Sequence, residues 1–169
     1  MQSFLFLQKI KNMKTTQEWL DAYAVSHQNP TNKLIHWVCI PLIMFSLFGL
    51  LMAIPFPVVD KNLLFNFGSI VLIFALLFYL RLSFTLFLGF VIIGGAMVLG
   101  NYALYEALSF NAGYLALISV AIFVIAWIGQ FVGHKIEGEK PSFFEDLQFL
   151  LIGPAWLLHF IYKKVGLPY

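Results

Sequence analysis

The sequence predicts an all-α, polytopic membrane protein: a four-helix transmembrane bundle with an amphipathic N-terminal helix and a C-terminal interfacial or re-entrant segment. Of its 169 residues, 61% are hydrophobic and 11% are charged, whereas soluble domains have roughly 45–50% and about 25%. The apolar residues form long runs, a pattern typical of chains that lie in lipid. We therefore expect one membrane domain over 1–169 that contacts membrane lipid. The net charge of +2 is too small to indicate a nucleic-acid-binding surface.

The first predicted element is a short helix near the N-terminus. Residues 15–18 read Thr-Thr-Gln-Glu, which is the form of a capping box, where Thr and Glu side chains satisfy the first free N–H groups. Apolar residues then recur on one face, at Trp19, Leu20, Tyr23 and Ala24. Asn29-Pro30 ends the pattern because proline disfavours a continuing helix. We expect this amphipathic helix to lie at the membrane interface.

Four apolar runs are predicted to span the membrane, at about 34–54, 63–80, 82–104 and 114–132. Each matches the roughly 17–25 residues that a membrane helix needs. A fifth run, Phe149 to Leu158, is shorter, and we expect Gly153-Pro154 to interrupt it. Ser-Phe-Phe-Glu at 142–145 repeats the capping signature. The sequence therefore predicts an interfacial or re-entrant segment at about 143–162.

The positive charges predict an orientation. Cytoplasmic loops carry an excess of Lys and Arg. Four of these residues precede the first span, four follow the last, Arg81 lies in the second loop and Lys61 in the first. Four spans with both termini inside place nine of the ten in the cytoplasm, whereas a fifth span would leave seven. We expect a multi-pass protein of a bacterial inner membrane or a eukaryotic endoplasmic reticulum.

All four histidines fall at the predicted cytoplasmic end. His27 follows the first helix, His36 opens the first span, His134 closes the fourth and His159 lies in the last segment. With the single Cys39, neither an internal disulfide nor a cysteine-rich metal site can form. Imidazole suits iron, zinc, copper or nickel, so a shared metal site would leave the metal undecided. Solvated interfacial histidines are the alternative. The spans lack charged residues at their centres, which argues against a transporter.

The spacing of the first two histidines indicates a reversal of the chain. On one continuous helix, His27 and His36 would lie about 13 Å apart, too far to share an ion. Asn29-Pro30 breaks the helix, so the chain can fold back and bring both rings together.

Three other polar residues share helix faces with the histidines. Asn32 and His36 are four residues apart, and Gln130, His134 and Glu137 are spaced by four and three. Residues at these spacings are neighbours on a helix surface. A side chain that holds a metal-binding imidazole in place often stands at such a position.

Two motifs carry a family resemblance. HQNPTNKLIH, starting at His27, and WIGQFVGHKIEGEKP, starting at Trp127, resemble the fungal membrane dioxygenase family that shortens 2-hydroxy fatty acids during phytosphingosine breakdown, together with its bacterial homologues. The resemblance runs from about Trp19 to Gly166. It implies an iron(II)-dependent alpha-oxidation in which a 2-hydroxy fatty acid and dioxygen give a fatty acid one carbon shorter.

The resemblance extends to individual positions. The matching residues are His27, Asn29, Asn32 and His36 in the first motif, and Gln130, Gly133, His134, Glu137 and Pro141 in the second. It implies Fe²⁺ bound by His27, His36 and His134, with His159 as a further candidate. Four permanent histidines and a bidentate substrate leave no position for oxygen. We therefore expect either three permanent ligands, with His159 exchangeable or outside the ligand set, or a change of coordination when substrate binds.

Catalytic support roles follow for the remaining polar residues. We expect Asn32 and Gln130 to orient the site and Glu137 to accept a hydrogen bond from an imidazole N–H. The acyl chain would lie between the Phe-rich spans, with its polar head at the cytoplasmic interface. Two other functions stay open: a zinc-dependent lipid hydrolase with Glu137 as general base, and a non-enzymatic lipid-binding or structural membrane protein. The oligomeric state stays open too.

Overall fold

The computed structural model describes residues 15–57, 62–138 and 149–169. These residues form six α-helices and no strands, which confirms the all-α class. The helices are α1 Thr16–Ala24, α2 Pro30–Ala53, α3 Phe67–Leu82, α4 Phe84–Ala107, α5 Ala112–Glu137 and α6 Ile152–Val165. The capping signature predicted at 142–145 lies outside the described residues, as does Pro141. Five of the Lys residues counted for orientation, at 9, 11, 14, 61 and 140, lie outside them too.

 Because the structure does not describe these five lysines, the predicted orientation in the membrane stays a prediction.

Three helices, α2, α4 and α5, are long and apolar enough to cross a membrane. With 16 residues, α3 is about 24 Å long, shorter than the roughly 30 Å hydrocarbon core, so the fourth span stays a prediction. Among the longer helices, α2 begins earlier than its apolar run because Asn29 caps it and Pro30 occupies its first turn. Helix α5 continues to Glu137 and ends at Gly138, whose φ of 86° closes the last turn.

Helices α2 and α5 run antiparallel to each other. α2 and α5 share the most extensive contact, α3 packs on α4, and α4 also packs on α2. Glycines on α5 make the first contact close: a Cβ at Gly129 would lie 2.6 Å from Cys39 Sγ, and one at Gly133 would lie 2.3 Å from Asn32 Oδ1. This antiparallel pairing brings the first turns of α2 next to the last turns of α5.

The C-terminal helix α6 corrects one expectation. Gly153-Pro154 was expected to interrupt this segment, and that expectation is wrong, because α6 begins at Ile152 and carries Pro154 in its first turn, where a proline removes no helical hydrogen bond. Its 14 residues extend only about 21 Å. Residues 152–158 are all buried. An interfacial or re-entrant placement stays a prediction.

Three long-range hydrogen bonds gather the short helices at one end of the bundle. The Thr16 hydroxyl donates to the Leu82 carbonyl at 2.7 Å. The Tyr162 hydroxyl donates to the Thr85 carbonyl, and that of Tyr79 to the Leu151 carbonyl, both at 2.8 Å. Helices α1 and α6 therefore lie beside the end of α3 and the start of α4, at the end of the bundle that holds the histidines.

Candidate metal centre

The turn between α1 and α2 places the first two histidines side by side. After α1 ends, the His27 N–H donates to the Ala24 carbonyl at 3.1 Å. The Asn29 side chain then accepts the Thr31 N–H at 2.9 Å and starts α2. The rings of His27 and His36 have centroids 4.3 Å apart. The predicted reversal of the chain is confirmed.

The last turn of α5 supplies a third ring. The centroid of His134 lies 5.2 Å from that of His27 and 5.0 Å from that of His36. One nitrogen from each ring lies within 4.8 Å of the other two. The three residues are only 2%, 1% and 6% exposed, in chain order. Among the His, Cys, Asp and Glu side chains that the structure describes, these three form the group able to share an ion.

Main-chain carbonyls fix the tautomers of two of these rings. Nδ1 of His27 lies 2.7 Å from the Tyr23 carbonyl, and Nδ1 of His36 lies 2.9 Å from the Asn32 carbonyl. A carbonyl only accepts, so each Nδ1 carries the proton and each Nε2 carries the lone pair. Both Nε2 atoms are buried. The two rings therefore present the atom that a metal ion requires.

Two aromatic rings pack against the imidazole of His27. Tyr23 stacks on it with centroids 4.1 Å apart and planes inclined by 12°. Trp156 of α6 lies 5.3 Å from the same ring and 5.4 Å from Tyr23. Stacking and hydrogen bonding together restrict how the imidazole can turn.

Glu137 ties the end of α5 to the α1–α2 turn. Its carboxylate accepts the main-chain N–H of Gln28 at 2.6 Å and that of Asn29 at 2.8 Å. It also accepts the Asn32 side-chain amide at 3.0 Å. The imidazole N–H groups of His27 and His36 go to main-chain carbonyls instead, so Glu137 acts on those rings through the turn. We expected Glu137 to accept a hydrogen bond from an imidazole N–H, but the N–H groups of His27 and His36 do not make that bond.

Asn32 and Gln130 are both buried beside the cluster. Asn32 orients His36 through its main-chain carbonyl, while its side-chain amide donates to Glu137 and to the Ser26 carbonyl. Within the described residues, Asn32 Oδ1 has no hydrogen-bond partner. Gln130 lies one turn before His134 and lines a narrow apolar cavity.

His159 lies outside the three-ring cluster. It lines a cavity of about 210 Å³ that also contacts His27, Lys33, Asp21 and Gln28. Burial lowers the pKa of His159 and the charge of Lys163 lowers it further, while the charge of Asp21 acts in the opposite direction. His159 is therefore a wall residue of a polar cavity next to the cluster, and its role as a ligand stays a prediction.

The donor set fits a divalent transition metal. Three buried imidazoles, two of them with the lone pair on Nε2, match the nitrogen ligands that iron, zinc, copper and nickel accept in proteins. Three protein ligands leave coordination positions for a substrate and a small molecule. The geometry is that of a candidate catalytic metal centre rather than a closed structural one.

Known proteins carry the same sequence pattern. The family model described as 2-hydroxy-palmitic acid dioxygenase Mpo1-like matches residues 13–165. The chain belongs to the Mpo1-like family. This Mpo1-like protein is also 30% identical over 153 residues to 2-hydroxy-palmitic acid dioxygenase MPO1 of Saccharomyces cerevisiae. The matched region covers 87% of this chain and 79% of the yeast protein. No solved structure matches this chain. The resemblance drawn from the two motifs is confirmed.

Two residues of the Mpo1-like site were not singled out from the sequence. Tyr23 supplies both a carbonyl and a stacking ring to His27, and its spacing of four residues from His27 was the available signal. Trp156 reaches His27 from α6, and no local pattern points to that contact because it depends on tertiary packing.

Proposed function

We propose that this Mpo1-like protein is an iron(II)-dependent dioxygenase that shortens 2-hydroxy fatty acids by one carbon. The observation that carries the proposal is the buried cluster of His27, His36 and His134, whose ligand atoms lie within 4.8 Å of one another. The yeast relative is named as a dioxygenase of 2-hydroxy-palmitic acid. His36 and His134 lie on two of the long apolar helices, α2 and α5, which suits a substrate with a long hydrocarbon chain.

The protein's part in this reaction is to hold and orient. His27, His36 and His134 would hold the iron, which supplies the redox chemistry that activates dioxygen when bound. Tyr23, through its carbonyl and its ring, keeps the first of these imidazoles in one tautomer and one plane. Glu137 fixes the turn that carries the first two ligands. The burial of all three imidazoles keeps bulk water away from the atoms that would bind the metal.

The reaction balances without an external reductant. The bond between the carboxyl carbon and the hydroxyl-bearing carbon breaks, and the hydroxyl-bearing carbon becomes the new carboxyl group. One dioxygen accepts the electrons, and the carboxyl carbon leaves as carbon dioxide with one water. A substrate labelled at the carboxyl carbon should therefore release all of its label as carbon dioxide.

The polar cavity beside His27 supplies a place for the substrate's head. Lys33 and His159 line it together with Gln28. A Lys ammonium attracts a carboxylate, and a neutral imidazole can hydrogen-bond it. We assign the head group to this cavity, on the side of the membrane that the charge distribution predicts to be cytoplasmic.

A zinc-dependent hydrolase is the second candidate. The same three histidines would hold zinc, and Glu137 would act as the general base. Both Glu137 oxygens already accept N–H groups of the α1–α2 turn, an arrangement that favours a positioning role. A hydrolase consumes no oxygen, so an oxygen electrode separates the two candidates.

The test is the metal content and oxygen consumption of detergent-purified protein. Wild type should hold about one iron per chain and consume oxygen with a long-chain 2-hydroxy fatty acid. His27→Ala, His36→Ala and His134→Ala should each lose iron and oxygen consumption. His159→Ala is the matched control for metal content, because that histidine lies outside the cluster, and it should retain iron.

Four results would overturn the proposal. Wild type without iron after reconstitution with Fe²⁺ contradicts the metal assignment. Iron that survives removal of a cluster histidine contradicts the ligand set. Substrate turnover without oxygen consumption favours the hydrolase, and no turnover with full iron favours a non-enzymatic lipid-binding protein.

A further inference from the structure

Three apolar cavities inside the bundle meet at the same two residues. Met44 and Pro154 line all three, whose volumes are about 30, 140 and 100 Å³. The first two also share Ile40, and the last two also share Phe90. Because they share lining residues, we describe them as one branched space. The cavity of about 30 Å³ is its neck, that of about 140 Å³ its lateral branch and that of about 100 Å³ its deep branch.

The neck adjoins the metal centre. It is lined by Tyr23, whose ring stacks on His27, and by Gln130, one turn before His134. Gly153 keeps it open, since a Cβ there would lie 3.0 Å from the Tyr23 hydroxyl and 3.2 Å from Ile40 Cδ1. The flexible Met44 side chain stands where the neck meets both branches, and Met adapts readily to irregular apolar space.

The two branches differ in depth. The lateral branch is bounded by the first turns of α2 and the middle of α6, and its walls include the surface residues Trp37 and Ile161. The deep branch follows α2 further, to Phe48, and is bounded by α3 and α4 at Leu72 and Gly94. From His36 to Phe48, α2 rises about 18 Å at 1.5 Å per residue, slightly more than half of the roughly 30 Å hydrocarbon core.

We propose that the deep branch binds the acyl tail of the substrate, and that Gly94 and Leu72 at its far wall set the preferred chain length. The proposal rests on the function proposed above, because that function supplies the head group held near the histidines. A tail in the deep branch runs along α2 and reaches the middle of the bilayer. The lateral branch, which opens at Trp37 and Ile161, then serves as its entrance from lipid.

Gly94 gives the proposal a sharp probe. A Cβ at this buried position would lie 2.3 Å from Leu72 Cδ1, so a larger side chain must displace Leu72 or fill the branch. The next residue, Gly95, has nothing within 4 Å of its would-be Cβ. The two glycines sit on the same helix in the same lipid depth, so Gly95→Leu is the matched control for Gly94→Leu.

The experiment measures kcat/KM of the iron-loaded protein for a series of 2-hydroxy fatty acids of increasing length. Burial of one methylene contributes about 0.8 kcal/mol, or about 4-fold in kcat/KM. Gly94→Leu should leave short acids unaffected and lose about 4-fold for each methylene that no longer fits. Gly95→Leu should keep the wild-type profile. Leu72→Ala, which enlarges the same wall, should shift the preference towards longer acids.

A cross-linking measurement locates the tail independently of turnover. A long-chain 2-hydroxy acid with a photoreactive diazirine at its terminal carbon should label peptides containing Leu72 and Gly94, with less label after Gly94→Leu. Label confined to α6 near Ile161, or identical length profiles for Gly94→Leu, Leu72→Ala and wild type, would overturn the proposal while leaving the dioxygenase function in place. Labelling at Leu72 without turnover of any acid would sink the function and support the tail site.

Discussion

Two groups of buried polar side chains lie in this otherwise apolar bundle, and they have opposite designs. At the histidine end, three imidazoles place their ligand atoms within 4.8 Å of one another. Midway along the bundle, Asn101, Ser119 and Ser46 are equally buried. There the Asn101 amide donates to the Phe45 and Met97 carbonyls, and the Ser46 hydroxyl donates to the Ile43 carbonyl.

The difference separates a ligand site from a helix contact. Asn101 and Ser46 donate to main-chain carbonyls, and Gly49 lies so close to the third residue that a Cβ there would be 2.2 Å from Ser119 Oγ. In the histidine group, His27 and His36 donate their N–H groups to carbonyls. The ligand atoms of all three imidazoles converge, and cavities lie beside them. Burial of polar side chains alone therefore does not indicate function. Nitrogen ligand atoms that converge next to a cavity do indicate it.

The largest expected effect comes from Glu137→Ala. The substitution leaves the three ligands in place but releases the turn that carries two of them, and loss of such a supporting group typically costs 10–100-fold in metal affinity. Iron affinity measured by titration of the metal-free protein should fall by about that factor. Glu106→Ala, an exposed acidic residue in α4, is the control and should bind iron as wild type does. Equal affinities in the two variants would make Glu137 dispensable.

Gly49→Ala should destabilise the bundle without removing the metal. The added methyl overlaps Ser119 and Asn101, and overpacking of this kind costs about 1–3 kcal/mol. Thermal unfolding in detergent should therefore occur at a lower temperature, with iron content unchanged at temperatures where the protein is folded. Gly95→Ala, which meets open space, should unfold as wild type does. A loss of iron from folded Gly49→Ala would remove the distinction between the two polar groups.

Asn101→Ala should have a smaller effect of the same kind. It deletes the hydrogen bond from α4 to the Phe45 carbonyl of α2, and such bonds between membrane helices contribute about 0.6–2 kcal/mol. The unfolding temperature should drop slightly, while oxygen consumption with a 2-hydroxy fatty acid stays at the wild-type level. A large fall in oxygen consumption at an unchanged unfolding temperature would assign Asn101 to the reaction instead.

The smallest effect is expected from Lys33→Gln. A partly exposed Lys opposite a carboxylate contributes about 0.2–1 kcal/mol, so KM for the 2-hydroxy fatty acid should rise up to about 5-fold with kcat unchanged. The difference from wild type should shrink as salt is added, because salt screens exposed charges. Lys164→Gln on α6 is the control and should leave KM unaltered. An effect on kcat alone would contradict a head-group role.

Local signals predicted much of this molecule. The capping box from Thr15 to Glu18 is present with both of its hydrogen bonds. The turn at Asn29-Pro30 brings His27 and His36 together as the spacing requires. Such features depend on residues a few positions apart, so they can be read from one segment.

Long-range packing decided the rest. Gly153-Pro154 starts α6 instead of breaking it, because a proline in the first turn is tolerated. The contacts of Trp156 with His27, and of Glu137 with the α1–α2 turn, join segments more than a hundred residues apart in the chain. No periodicity reports such contacts. The place of His159 on the cavity wall follows from the docking of α6 in the same way.

The hydrogen bonds from His27 and His36 to carbonyls four residues earlier have a consequence for assembly. Each bond lies within its own stretch of chain, so the tautomers of these two imidazoles are set before the distant α5 arrives. The segment from Tyr23 to His36 is then half of a chelating site, whose turn is fixed by Glu137 of α5. The third imidazole completes it only when the antiparallel partner helix docks. We therefore expect this protein to bind its metal late in folding, after α5 has packed against α2.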